Sequence, residues 1–312
     1  MTGPIPVRPR ARPPAPVDDG PDPDDLRRVV ETALTEDLRY GPDVTTAATV
    51  PADAVAVARF ATRAAGVLAG LPAALAVLDT VIGDYEILDA RADGDRLAPG
   101  DTVLAVRAPV RGLLTAERTA LNLLTHLSGV ATATADWVDA VAGTGARIRD
   151  TRKTLPGLRL LEKYAVRCGG GVNHRLGLGD AVLIKDNHVA AAGSVAAALV
   201  VARAAAPELP CEVEVDSLEQ LDEVLAAGAE LVLLDNFTVE RTREAVRRRG
   251  GAPTLLESSG GLVLGDARAY AETGVEFLAV GALTHSVAAL DIGLDLDPQS
   301  GSDSAGQRRP AR

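Results

Sequence analysis

The sequence predicts an α/β protein in which a shortened, parallel-stranded barrel follows a mixed α and β domain. Three observations carry this reading. First, six short apolar runs recur in the second half, at 146–149, 181–184, 211–215, 231–234, 254–256 and 277–280, with helical stretches between them. Strands alternating with helices build βαβ units and a parallel sheet. Second, every run exits into polar, charged or glycine-bearing residues. These are Asp150-Thr151-Arg152-Lys153, Lys185-Asp186-Asn187-His188, Glu214 and Asp216, Asp235-Asn236, Glu257-Ser258-Ser259-Gly260-Gly261, and Gly281-Ala282. Barrel active sites gather at the carboxyl ends of strands, so this succession of exits marks a site. Third, only six strands are legible where a complete barrel has eight, hence a shortened or distorted one. An open doubly wound sheet also binds ligands at strand ends, but no GxGxxG turn follows a first strand; Gly169-Gly170-Gly171 stands in a loop before Asn173-His174-Arg175.

The remaining elements follow in order. Residues 1–23 contain eight prolines among Arg and Asp, a composition that buries no core and is expected to be disordered, as is the tail after 298. Periodicity predicts a helix over 26–38, an alternating strand over 54–62 and a helix over 71–81. Strands over 85–90 and 102–106 flank a turn-rich stretch at 92–101, and the chain divides near 125.

Composition narrows the function. With 312 residues, 47 % apolar and 24 % charged, the chain is globular and long enough for a sizeable core. Aromatics at 3 % leave little for stacking on bases, and a net charge of −11 opposes general polyanion binding. Cys168 and Cys211 lie far apart with no CxxC spacing, so neither a metal site nor a disulfide is expected, and a reducing cytoplasm is. No apolar h-region opens the chain, and the run at 189–201 is Ala-rich, broken by Gly193-Ser194 and followed by Arg203. It reads as a packed helix rather than a membrane span.

Charge is unevenly placed. Of 32 basic residues only three are lysines, and Lys153, Lys163 and Lys185 share one short window. An ammonium is a compact point charge suited to phosphate and carboxylate oxygens, whereas drift in an arginine-rich chain is the bland explanation. From 147 to 185 nine basic residues face three acids, a local positive focus that steers small anions. Arg152, Lys153, His174, Arg175 and Lys185 form a cationic set at exits and behind the glycine loop. Glu214 and Asp235, on consecutive exits, form an acidic set able to bind ribose hydroxyls, hold Mg²⁺ beside a polyphosphate, stabilise a cationic transition state, or simply pair with neighbours. Ser259, Gly260, Gly261, Gly281 and Ala282 occupy the last two exits, where barrels hold a phosphate on exposed N–H groups; a tight turn needing glycine is the alternative. The residues alone therefore describe an enzyme or binder for a phosphorylated, acidic small molecule.

The same residues fall into a familiar order. Arg118-Thr119-Ala120-Leu121-Asn122-Leu123-Leu124, Thr151-Arg152-Lys153-Thr154-Leu155-Pro156-Gly157, Asn173-His174-Arg175 and Lys185-Asp186-Asn187-His188 come first. Glu212-Val213-Glu214-Val215, Leu234-Asp235-Asn236, Glu257-Ser258-Ser259-Gly260-Gly261 and Val280-Gly281-Ala282-Leu283-Thr284-His285-Ser286 follow. Over about residues 25 to 297 this resembles the quinolinate phosphoribosyltransferases. The resemblance implies an N-terminal α/β sandwich domain at 24–125, with 287–297 returning to it, and a shortened α/β barrel at 126–286. It implies conversion of quinolinate and 5-phosphoribosyl-1-pyrophosphate to nicotinate mononucleotide, pyrophosphate and CO₂, with Mg²⁺, in NAD biosynthesis. It further implies a cytoplasmic homodimer or higher oligomer, binding neither nucleic acid nor membrane. By resemblance Arg118 reaches the neighbouring subunit's site and, with Arg152, His174 and Arg175, holds the quinolinate carboxylates. Lys153 and Lys185 serve quinolinate and pyrophosphate oxygens. Glu214 and Asp235 serve ribose and metal, and Ser259, Gly260, Gly261, Gly281 and Ala282 take the 5-phosphate, with Thr151 and Val280 at the same exits. Lys153, Lys185, Glu214 and Asp235 are the expected catalytic set, while Lys163 keeps a structural or supporting reading. The commoner phosphoribosyltransferases end a strand in two acids before a Thr-Gly loop, whereas this chain has Asp235-Asn236-Phe237-Thr238. A related protein of molybdenum transport and a non-catalytic anion-binding barrel are the alternatives.

Overall fold

Proline opens the first helix rather than excluding it. The computed structural model describes residues 20–298, so the tails expected at 1–19 and 299–312 lie outside the described residues. Pro23, assigned from composition to the first tail, starts α1 (Pro23–Asp37), with the Asp22 carboxylate accepting the Asp25 N–H at 2.8 Å. A proline in the first turn sacrifices only an N–H that has no helical partner.

The first unit contains α2 (Val44–Thr49), β1 (Val55–Thr62), β2 (Gly66–Val67), α3 (Leu71–Val81), β3 (Glu86–Ala90), β4 (Arg96–Leu97) and β5 (Thr102–Pro109). Along β1, Ala56, Ala58, Phe60 and Thr62 are buried, the period-two pattern of a sheet with one covered face. That face packs under α3 and α4 (Val110–Ala140), where Phe60, Leu104 and Val106 meet Val77, Leu78, Leu113 and Leu124 in one core. The chain's final strand, β12 (Ile292–Pro298), lies antiparallel to β1 with Leu294 opposite Phe60, giving the sheet order β12-β1-β5-β3.

The division near residue 125 falls inside α4, a 31-residue helix. No linker lies there: Leu113 to Ala135 pack into the first core, while Trp137 packs into the second beside Ile148 and Leu278.

The second unit runs β6 (Arg147–Arg149), α5 (Arg159–Cys168), β7 (Val182–Ile184), α6 (Asp186–Ala192), α7 (Val195–Ala205), β8 (Cys211–Val215), α8 (Leu218–Ala226), β9 (Leu231–Asp235), α9 (Val239–Arg249), β10 (Leu255–Ser259), α10 (Ala267–Ala271), β11 (Phe277–Ala279) and α11 (Ala282–His285). Its strands pair in the order β6-β11-β10-β9-β8-β7, all parallel. Neighbours follow chain order around a ring, without the reversal that defines a doubly wound sheet. This is a six-stranded α/β barrel left open between β6 and β7. Val172 sits in that seam, donating to the Ile148 carbonyl at 2.9 Å and accepting from the Asp150 N–H at 3.2 Å.

Outward residues Ile148, Val213, Val232, Leu234, Leu256 and Leu278 pack with Leu199, Leu221 and Ala245 of the helices. The inward residues are different. β10 runs through Glu257 and Ser259, beyond the end at 256 read from sequence, because its polar residues face a polar barrel interior.

Candidate active site

The barrel interior is built in two layers, related by the two-residue period of its strands. Arg149, Glu212 and Glu257 lie one inward position before Thr151, Glu214 and Ser259. The upper layer, at the strand exits, opens into a cleft of about 540 Å³. Thr151, Arg152, Lys153, His174, Arg175, Lys185, Glu214, Asp235, Ser259, Gly260, Gly261, Val280, Gly281 and Ala282 all line it, with His285 and Leu262 added at the rim. A wider cleft of about 810 Å³ between α1, α2 and α4 has Asp43 and Arg111 as its charges, both already engaged, Asp43 by Thr46 and Arg111 by the carbonyl of Val50. Arg118, singled out by sequence, is exposed on α4 and outside the charged cleft.

The cations of the upper layer are mostly unpaired. Neither Arg152 nor Lys153 makes a side-chain hydrogen bond or ion pair among the described residues, and the buried Nε of Arg152 has no partner. Arg175 donates Nη1 to the Ala181 carbonyl at 3.3 Å and leaves its own buried Nε free. Burial, and then the Arg152 charge beside it, lower the proton affinity of the Arg175 guanidinium. Lys185 pairs with Glu214, and Asp235 accepts the Asn236 side-chain amide at 2.7 Å. Such a surplus of unpaired donors in one cleft calls for an anion.

Two glycines are required for this geometry. A Cβ on Gly281 would lie 2.9 Å from Lys153 Cδ, so any other residue there would displace the lysine stem from its path across the β11 exit. Gly260, at φ 90°, meets Asn236 so closely that any Cβ would strike its side-chain amide. Asn236 is itself left-handed at φ 56°, and its N–H donates to the Ser259 carbonyl at 2.9 Å. This interlock fixes Asp235 beside the 259–261 loop.

Beneath the exits lies a buried charged layer, of which Glu257 also reaches the cleft. Arg149 donates Nη1 to Glu257 at 2.6 Å and lies 3.6 Å from Glu212. Arg147 and Arg149 also stand over the Phe277 ring, at 5.0 and 5.1 Å. His174 Nδ1 accepts the Arg175 N–H at 2.7 Å, which puts the proton on Nε2, 3.0 Å from Glu212. Burial holds this imidazole neutral, its pKa down at about 4. Both ring nitrogens are thus engaged within the protein and His174 lines the cleft, whereas the resemblance implies that it holds a quinolinate carboxylate. His174, Glu212 and Glu257 bring ligand atoms within 4.8 Å of one another, yet the Arg149 guanidinium already supplies the positive charge there.

Burial pushes the carboxyls of Glu212 and Glu257 up to about 7, each with one oxygen lacking a hydrogen-bond partner. A carboxyl whose folded pKa exceeds its unfolded value stabilises the fold fully at low pH, and that contribution is lost as pH rises through the folded pKa. We therefore expect the melting temperature to fall between about pH 5 and pH 8, and Glu257→Gln, which imitates the protonated form, to flatten that fall. An unchanged slope in the variant would show that this pair does not hold the proton.

Two further contacts set the loop carrying Arg152 and Lys153. Glu162, buried on α5, meets His126 Nε2 at 2.8 Å and accepts the Leu155 N–H at 3.1 Å. Arg28 of α1 donates to the Gly157 carbonyl at 2.5 Å.

Comparison with known proteins bears on most of the chain. The model of the quinolinate phosphoribosyl transferase N-terminal domain matches residues 43–128, and that of the C-terminal domain residues 130–295. A nicotinate-nucleotide pyrophosphorylase [carboxylating] of Mycobacterium leprae is 65 % identical over 277 residues, covering 88 % of this chain and 98 % of that protein. Among solved structures, NadC from Streptococcus pyogenes superposes with a TM-score of 0.86 at 39 % identity, covering 91 % of this chain and 100 % of that one. The nicotinate-nucleotide pyrophosphorylase from Francisella tularensis gives 0.85 at 38 % identity over 91 % and 99 %. Among the described residues, no single helix is long and apolar enough to cross a membrane.

Proposed function

The chain belongs to the quinolinate phosphoribosyl transferase family, and from this we propose how its residues divide the family's reaction among them. The activity is that of a quinolinate phosphoribosyltransferase of NAD biosynthesis. Quinolinate and 5-phosphoribosyl-1-pyrophosphate give nicotinate mononucleotide, pyrophosphate and CO₂; the relatives' term "carboxylating" describes the reverse direction. The relatives named above leave the molybdenum-transport protein and the non-catalytic barrel without support.

One observation carries the division of labour: Arg152, Lys153 and Arg175 enter a single cleft without a carboxylate partner. Arg152 and Arg175 hold the two quinolinate carboxylates, and Lys153 and Lys185 meet the pyrophosphate. Backbone N–H groups at Ser259-Gly260-Gly261 and Gly281-Ala282 take the 5-phosphate. As the C1–O bond to pyrophosphate breaks, the ribose ring becomes positive, and Glu214 and Asp235 stabilise that charge while the pyridine nitrogen bonds to C1. The quaternised nitrogen then accepts electron density as the 2-carboxylate leaves as CO₂, and a proton from solvent takes its place on C2. No general base is needed. The donor set also suits Mg²⁺, which takes one or two carboxylates and completes its shell with phosphates and water. Glu214 and Asp235 would hold it, and it would neutralise the departing pyrophosphate.

Arg118 has no role within its own subunit's cleft, and the assembly that employs it is a homodimer in which it reaches the neighbour's quinolinate. Two buried, unpaired cysteines, Cys168 and Cys211, support a cytoplasmic setting. Incubation with quinolinate, the pyrophosphoryl donor and Mg²⁺ should release nicotinate mononucleotide and CO₂ in equal amounts. Acceptance of nicotinate or nicotinamide with quinolinate refused would overturn the assignment.

A further inference from the structure

The barrel is open where its two cationic segments meet. β6 leads into Arg152 and Lys153, the 172–175 segment carries His174 and Arg175, and past Val172 no strand pairing joins them. Arg152 and Arg175 are like charges, neither in an ion pair among the described residues; the Arg152 charge acts against that of Arg175, while Asp180 and Glu212 offset it in part. A dicarboxylate set between them would remove the repulsion, but the free protein has to hold them in place unaided.

What crosses the seam is a fully buried ion pair. Lys163 of α5, whose side chain is 1 % exposed, donates to Asp150 Oδ1 at 2.5 Å and to the His174 carbonyl at 2.9 Å. Asp150, the residue just before Thr151, accepts the His174 N–H at 2.7 Å and the Asn173 side-chain amide at 2.6 Å. The same amide returns to the Lys163 carbonyl at 2.9 Å. One lysine and one aspartate therefore tie the β6 exit to the 173–175 segment from below, and no atom of either contacts the cleft. A lysine suits the position because a single ammonium must satisfy a carboxylate and a carbonyl in a space with no solvent.

We propose that Lys163 and Asp150 are positioning residues for quinolinate: they fix Arg152 and Arg175 at the separation a vicinal dicarboxylate spans. This rests on the assignment of those two arginines to quinolinate given above. The clamp lowers the cost of binding by preorganisation, so its loss should appear in the quinolinate KM more than in kcat, because bound quinolinate itself bridges the two arginines.

Lys163→Met alone would leave a buried carboxylate without its cation and would mix misfolding with mispositioning. The double variant Asp150→Asn/Lys163→Met removes both charges at nearly constant volume and keeps an acceptor for the His174 N–H. With its circular dichroism unchanged, we expect the quinolinate KM to rise about tenfold or more, kcat to stay within about threefold, and the KM of the phosphoribosyl donor within about twofold. An unchanged quinolinate KM, or an equal rise in both KM values, overturns the proposal. Asn173→Ala cuts one strut of the clamp while leaving the Asp150 and Lys163 charges paired with each other, and should give the same selective rise at about threefold. If that rise is absent the proposal falls, even should the double variant not fold. Arg175→Ala, measured alongside, tests the underlying assignment: an unchanged quinolinate KM there removes Arg175 from quinolinate binding, a failure distinct from that of the clamp.

Discussion

Mixing Arg118→Ala subunits with Lys185→Ala subunits is expected to restore about a quarter of wild-type activity from two preparations that are each nearly inactive. The figure follows from two-fold symmetry. In a mixed dimer, the site on the Arg118→Ala subunit keeps its own Lys185 and receives an intact Arg118 from the partner. The other site carries both lesions. Random reassortment makes half the dimers mixed, and half of their sites whole. The structural ground is the position of Arg118, exposed on α4 and outside the cleft that gathers the other cations. Lys185 is the fitting counterpart, because it lines that cleft and its loss also strands Glu214 without its ion partner. Activity of the mixture should be followed together with subunit exchange by native mass spectrometry. Full exchange without recovery would place Arg118 outside catalysis or within its own subunit's site.

Lys153→Arg should lower kcat/KM by about a hundredfold or more, a loss of roughly 2.7 kcal/mol of transition-state stabilisation. The charge is conserved, so a purely electrostatic role would tolerate the change. The geometry of the donors is what forbids it. The lysine stem runs directly across Gly281, and its backbone is pinned by the Lys153 N–H donating to Thr151 Oγ1 at 3.0 Å and by Thr284 Oγ1 donating to its carbonyl at 2.8 Å. A planar guanidinium on a stem so held cannot turn its donors as an ammonium does. Activity near wild type in steady-state kinetics would mean that any cation at this position suffices.

What could be read in the sequence, and what could not, divides along physical lines. Exits were legible because solvent-facing polar residues interrupt apolar strands, and fourteen exit and loop residues do converge on one cleft. The layer beneath was legible only in part: Glu257 stood among the exits and Glu212 within a motif, but their contact with Arg149 exists only once the strands close around them. A signal existed: each stands two residues before an exit residue and so shares its face. Helix α4 went unrecognised as one element, since a helix serving two cores has apolar residues over most of its surface and no single stripe. Lys163 illustrates a deeper limit. Its neighbours in space, Asp150 and His174, are eleven or more positions away in sequence, and only the unpaired seam gives their contact a purpose. The division of the chain near 125 reflected a real change in periodicity, but the covalent scaffold runs straight through it.

That continuity has a consequence for where Arg118 points. Arg118 and Trp137 lie on one uninterrupted helix, about 28 Å apart along its axis. Trp137 is anchored in the barrel core, so the direction in which Arg118 points is a matter of rotational phase. One residue inserted or deleted between them would swing Arg118 by about 100°, with every local contact of the guanidinium's own turn preserved. In the homodimer proposed above, the length of helix α4, counted in residues, sets the phase at which Arg118 would reach the neighbouring subunit.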